Sequence, residues 1–213
     1  MPASNKLESD IFSDAGIDAR EADILGRAPR ILPLGVEELD EEARATIIRL
    51  RESAGKTEHS QIPEVFGTMM KHPRLYRCQM EIGTALFQGT IPARERELAV
   101  LRVGWLCRAP YEWGQHVEIA KRYGVTADEI ERATLGSIAP GWSEHEAAVI
   151  RGVEELIGDQ MISDQTWRVL ALSWNEQQLI EFPSMVGQYV ATAYSQNSLR
   201  IRLNPENRGL RHR

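Results

Sequence analysis

RERELAVLRVGWLCRAPYEWGQHVEIAKRYG, running from Arg94 to Gly124, is the stretch around which the chain is organised. It holds two helical runs and a break at Arg108-Ala109-Pro110. The first run sets Glu95, Glu97 and Arg102 among Leu98, Ala99, Leu101, Val103, Trp105 and Leu106. Its acidic start suits the positive N-terminal end of a helix, and its later part is nearly all apolar. The second run carries Tyr111, Glu112, Trp113, His116 and Ile119. Glu112 and His116 are four apart, so on a helix they share one face. That spacing sets a carboxylate beside the one side chain that titrates near neutral pH. No other part of the sequence is so plainly a place where protons move.

Outward from this core the chain reads as helices separated by proline and glycine. Val36, Leu39, Ala43, Ile47 and Leu50 form a stripe at spacings of three and four, and Gly55 ends that run. Pro63 opens EVFGTMMKH. Pro73 opens a helix with Leu75, Met80, Ile82, Leu86 and Phe87 as apolar positions; Gly89 closes it and Pro92 opens the next. Beyond Gly124, Thr126 with Glu129 and Ser143 with Glu146 are capping-box patterns that predict helix starts, the first helix ending near Leu135. Ser163 predicts another start, and NEQQLIEFPSMVGQYVATAYSQNSL is a long helix expected to break or bend at Pro183. No segment alternates apolar and polar residues over a strand length. The expectation is an all-α protein of eight or nine helices. Residues 1–35, weakly patterned and extended at Pro29–Pro33, read as an arm lying on the body or on a neighbouring subunit. Residues 36–200 form the helical domain and 201–213 an irregular tail.

Composition narrows the function classes. The 213 residues carry a formal net charge of -6, which argues against nucleic acid as the main partner. Arg208, Arg211 and Arg213 are the one basic cluster and read as a solvated end. The two cysteines, Cys78 and Cys107, form no CxxC pair or metal knuckle and read as buried thiols in a reducing compartment. No window approaches the roughly 18 apolar residues of a membrane span. The acidic, polar start lacks the basic n-region and apolar core of a signal peptide, so a cytoplasmic location is expected.

RERELAVLRVGWLCRAPYEWGQHVEIAKRYGVTADEI resembles the core of the carboxymuconolactone decarboxylase family, which includes the AhpD-type alkylhydroperoxidases. The resemblance is specific over about residues 90–135 and looser from 36 to 200. It implies an AhpD-like helical fold assembled into trimers or hexamers, with the active site near the histidine-bearing helix. The peroxidase branch uses C-x-x-C-x-x-x-H with an upstream glutamate. With that histidine set on His116, the upstream glutamate falls on Glu97, the second cysteine on Glu112 and the first on Ala109. Glutamate and histidine are kept, and both cysteines are gone. Peroxide reduction by that branch needs an attacking and a resolving thiol. The YEW-x-x-H form instead resembles the decarboxylase-type branch.

A decarboxylase must stabilise a developing dienolate and deliver a proton to carbon. His116 is the candidate proton carrier, with Glu112 and Glu97 to orient and tune it. Arg102, which interrupts an apolar stretch, is the favoured candidate for a substrate carboxylate, ahead of Arg94 and Arg96. Tyr111 and Trp113 are candidate pocket walls. No cofactor and no metal are expected. By analogy with the family, the substrate is a small carboxylated or lactone-type molecule of aromatic catabolism, and the protein a homo-oligomer (dimer, trimer or hexamer). The same parts suit isomerisation, dehydration or ring opening.

Each residue also has a plainer interpretation. Glu112 and His116 are alternatively an exposed i, i+4 pair, Glu97 a helix-start charge, Arg102 an ion-pair partner, and Tyr111 and Trp113 core or interface. One histidine with two carboxylates is also a usable ligand set for a metal. Peroxide reduction through Cys107, and a non-catalytic oligomeric binding module, are the alternative functions. His59, His72, His145 and His212 read as surface or loop residues.

Overall fold

The computed structural model describes residues 10–41, 43–45, 47–48 and 63–213, with Val36 described by its backbone alone. Nine α-helices have bounds among them: α1 Asp14–Ile24, α2 Glu64–Met69, α3 Pro73–Phe87, α4 Ala93–Leu106, α5 Pro110–Arg122, α6 Ala127–Leu135, α7 Glu144–Asp159, α8 Asp164–Ala171 and α9 Glu176–Leu199. No strand occurs among the described residues, so the all-α expectation holds. Of the stripe read from Val36 to Leu50, Leu39, Ala43 and Ile47 are buried together with Met70 and Tyr76. Leu50 and Gly55 lie outside the described residues, as does His59.

Helix α4 is the centre. Every residue from Arg96 to Trp105 is buried. An apolar sequence on all sides has this consequence, because such a helix cannot turn one face to water. Ala99, Val100 and Val103 point into a cluster with Val149 and Val153 of α7 and Phe182, Met185 and Val186 of α9. Leu98, Leu101 and Trp105 point into a second cluster with Trp113 and Val117 of α5, Ile130 of α6 and Ile150 of α7. Each fully buried Leu contributes about 1.5–3 kcal/mol.

The capping boxes form as the spacing predicts. Thr126 and Glu129 exchange hydrogen bonds at the start of α6, and Ser143 and Glu146 at the start of α7. Both of those glutamates also converge on Arg94 Nη2, at 2.6 and 2.7 Å, which ties the start of α4 to the starts of α6 and α7. Ser163 caps α8. Helix α9 runs through Pro183 without a break.

The N-terminal arm contains helix α1, which lies on the body: Ile17 enters the α4–α5 core, and Arg20 Nε donates to the carbonyl of Arg108. Two other expectations are corrected. The tail is packed onto α5 rather than solvated. Leu210 and His212 are buried, and Arg213 lies over the Trp105 and Trp113 rings. Gly114 makes room for it, since a Cβ there would collide with the Asn207 side chain, whose Nδ2 donates to Tyr111 O. Arg211 is half-exposed and pairs with Asp14 and Asp18. The cysteines are not both buried: Cys78 is exposed and Cys107 half-buried.

Candidate active site

The break between α4 and α5 sets the site. Arg108 takes a left-handed backbone, φ 45, and Ala109 N donates to Gly104 O, which turns the chain back on itself. Gly104 faces the start of the second helix, where a Cβ would rest in ordinary van der Waals contact with Trp113. Pro110 then starts α5 with a φ already suited to a helix. The antiparallel pair brings Glu97, near the start of α4, against His116 on α5.

His116 sits between two carboxylates. Its Nδ1 lies 2.7 Å from Glu97 Oε2, and its Nε2 lies 3.3 Å from Glu112 Oε1. Relative exposures are 7% for His116, 5% for Glu112 and 0% for Glu97, so the three are shielded from water. An exposed i, i+4 pair does not describe them. Burial alone disfavours the imidazolium, but the Glu97 and Glu112 carboxylates outweigh it and raise the His116 pKa to about 10. Burial likewise disfavours the Glu97 carboxylate. His116 and Arg96 together overcome that and hold its pKa below the usual value.

Three further residues complete the shell. Arg96 Nε donates to Glu97 Oε1 at 2.9 Å, while its Nη1 donates to Phe87 O and its guanidinium lies over the Phe87 ring. Arg96 Nη2 is 2.9 Å from Glu97 Oε1 but poorly aligned, and it has no hydrogen-bond partner. From α9, Gln196 Nε2 donates to Glu112 Oε2 at 2.6 Å, leaving Gln196 Oε1 buried and unpartnered. Tyr189, one helical face along, meets the His116 ring edge-on with centroids 5.0 Å apart. The long sequence separation of α9 hid Gln196 and Tyr189 from pattern reading. Arg96 was visible only as one of several arginines near a helix start.

The structure brings together Glu97, Glu112 and His116 but commits the other three candidates elsewhere. Arg102 is a structural ion-pair partner: its Nη2 is 2.8 Å from Glu154 Oε1, and its Nη1 donates to Ala133 O and Thr134 O at the end of α6. A guanidinium so engaged is not free to clamp a substrate carboxylate. Trp113 is a core residue, 0% exposed, tilted against Trp105, with its indole N–H donating to His212 O. Tyr111 is buried, and its hydroxyl accepts from Asn204. The plainer core interpretation therefore applies to both aromatics.

The remaining histidines divide. His212 lies in a loop, as expected, but is buried, with Nε2 3.0 Å from Glu118. His145 pairs with Glu95, and His72 caps α3. Cys107 has its thiol pKa pushed up to about 11 by burial, so thiolate is scarce at neutral pH. No group of three or more His, Cys, Asp or Glu among the described residues is arranged to hold a metal ion. No helix among them is long and apolar enough to cross a membrane.

Comparison with known proteins agrees with this architecture. The carboxymuconolactone decarboxylase family pattern matches residues 73–155, which span α3 through most of α7. An uncharacterized peroxidase-related protein from Ralstonia eutropha JMP134, described as an alkylhydroperoxidase AhpD core, superposes with a TM-score of 0.70 at 17% identity, covering 84% of this chain and 95% of that one. A peroxidase-related protein from Silicibacter sp. TM1040 gives 0.71 at 13% identity, with 85% and 95% covered. The debrominase Bmp8, in complex with 2,3,4-tribromopyrrole, gives 0.69 at 15% identity with the same coverage. No curated protein matches the sequence. Residues 73–155 thus match the pattern of the carboxymuconolactone decarboxylase family, and the chain has the helical fold of the AhpD-like solved structures.

Proposed function

We propose that the protein is a cofactor-independent carbon–carbon lyase that decarboxylates a small carboxylated or lactone-type substrate by proton transfer from His116. The observation that carries this reading is the imidazole held between Glu97 and Glu112, at 2.7 and 3.3 Å, in a buried site. In the reaction the bond to the substrate carboxylate breaks, carbon dioxide leaves, and the electron pair remains as a dienolate. The imidazolium then gives its proton to carbon and recovers one from solvent. An acid with a pKa near 10 transfers readily only to a strongly basic atom, and a dienolate carbon qualifies.

The two contacts suggest which nitrogen gives up its proton. Nδ1 makes the shorter bond, to a carboxylate that Arg96 also holds. Nε2 makes the longer one, so it is the nitrogen that the substrate displaces from Glu112. Glu97 and Arg96 are then positioning residues, and Glu112 shares the proton with the ring. Arg96 Nη2 and Gln196 Oε1, both buried without a hydrogen-bond partner, are the donor and acceptor this reading assigns to substrate polar groups. By analogy with the family, the substrate comes from aromatic catabolism. A homo-oligomer is part of this reading: Leu172, Ile180 and Tyr194 on the α8–α9 side are 82%, 71% and 65% exposed, which suits apolar surface covered by another copy.

The test is a panel of carboxylated lactones in deuterium oxide, following carbon dioxide release and deuterium uptake at carbon. Turnover that His116→Gln abolishes and Cys107→Ser leaves intact supports the reading. Peroxide consumption with a dithiol reductant that survives His116→Gln and dies with Cys107→Ser overturns it.

A further inference from the structure

Away from the buried triad, a cleft of about 350 Å³ opens between α1 and the C-terminal end of α9. That volume falls within the range of small-molecule sites, roughly 300–1,000 Å³. Four arginines line it: Arg20, Arg27, Arg30 and Arg200, with Asp23 as the one carboxylate among its lining residues. The concentration of positive charge is unexpected in a chain whose formal net charge is -6.

The charges are only partly neutralised within the fold: Asp23 pairs with Arg27 at 2.8 Å. Arg20 spends its Nε on the carbonyl of Arg108, which leaves its terminal nitrogens for the cleft. Burial, and after it the neighbouring Arg108, hold the Arg20 pKa below the ordinary arginine value. Arg30 and Arg200 have no carboxylate partner among the described residues. The backbone nevertheless fixes both. Arg30 N donates to Leu199 O, and Arg200 ends α9 in the left-handed region at φ 57, with its N–H bonded to Asn197 O. That conformation suits glycine better than arginine, so the sequence keeps a guanidinium where a smaller residue would fit the backbone more easily. Planar guanidinium forks lining one polar cleft match the oxygens of a tetrahedral dianion.

We propose that this cleft is a binding site for a phosphate-type oxyanion, either free phosphate or the phosphate group of a small ester, held by Arg20, Arg30 and Arg200. Arg27 and Asp23 set the charge at its rim. Cleft and turn are joined: Asn197, on the wall, donates its Nδ2 to Cys107 O, and Arg20 holds the next carbonyl.

Titration calorimetry on the full chain, in low-chloride buffer, tests the proposal with inorganic phosphate and with phenyl phosphate as probes. Saturable one-site binding is expected, weakened tenfold or more in the Arg30→Gln/Arg200→Gln double variant. These side chains hold no carboxylate in the fold, so the variant should melt at the parent temperature in the absence of anion. Asp23→Asn should tighten binding at least twofold, and it provides a reading even if the double variant folds poorly. A tighter ester identifies a phosphorylated small molecule as the occupant, and equal affinities identify phosphate itself. No binding heat, binding that the double variant leaves unchanged, or weaker binding in Asp23→Asn would each overturn the site.

Discussion

Helix α4 carries two buried ionic clusters five residues apart, and they differ in kind. At Arg102, a permanently charged guanidinium meets Glu154 and two carbonyls at the end of α6. Ser137 donates to the same Glu154 through its backbone N–H and its hydroxyl. The cluster fastens α4, α6 and α7 together. At Glu97, the partner is an imidazole with a second carboxylate on its other nitrogen. Buried charge alone therefore does not mark a functional site. On the proposed reading, a charge that can be given away does.

The largest separation between the clusters should appear in turnover. His116→Gln removes the proposed proton carrier and should lower kcat by about 10²–10⁴-fold in the carbon dioxide assay, the usual worth of general acid–base catalysis. Arg102→Met paired with Glu154→Gln should leave kcat within about threefold, because the second cluster touches no substrate. A comparable loss in both variants would erase the distinction.

Stability should separate them next. Glu97→Gln leaves Arg96 and His116 charged and buried, which should cost about 3–5 kcal/mol in urea unfolding and bring the histidine pKa down. Glu154→Gln leaves Arg102 its two carbonyls and should cost less, about 1–3 kcal/mol.

A smaller effect lies in pH. The His116 pKa is raised from its unfolded value of 6.5 to about 10, so the native state binds the extra proton between those limits. Its contribution to stability is complete below pH 6.5 and is lost as pH rises through 10, with a slope of at most about 1.4 kcal/mol per pH unit. Urea midpoints at pH 7, 8.5 and 10 should fall in the parent and stay flatter in His116→Gln. Smallest is Gln196→Leu, which strips one hydrogen bond from Glu112 and should cost about 1 kcal/mol while sharpening or shifting the pH profile of kcat.

Much of this architecture was legible in the sequence, because local chemistry sets it. Thr126, Ser143 and Ser163 announce helix starts through side chains that bond within three residues, and Pro110 marks the start of α5. The pairing of Glu112 with His116 follows from helical spacing, and Glu97 entered through the family pattern. What failed to show depends on distant contacts. Gln196 and Tyr189 reach the site from α9, and no local period announces them. The sequence favours Arg102 over Arg96, because a guanidinium in an apolar run looks the same whether it awaits a ligand or ties down a helix end. The tail reads as irregular, and it carries a short 3-10 helix at Gly209–Arg211. Its burial comes from Trp113 and Gly114, one offering an indole donor and the other a gap for Asn207.

The protonation state of His116 tests the central claim most directly. Nitrogen-15 chemical shifts of the ring, followed by NMR from pH 6 to 11 in the native protein, should show an imidazolium with both nitrogens protonated at pH 7.5 and titration only near pH 10. A neutral ring at pH 7.5, with a midpoint at or below 6.5, would contradict it.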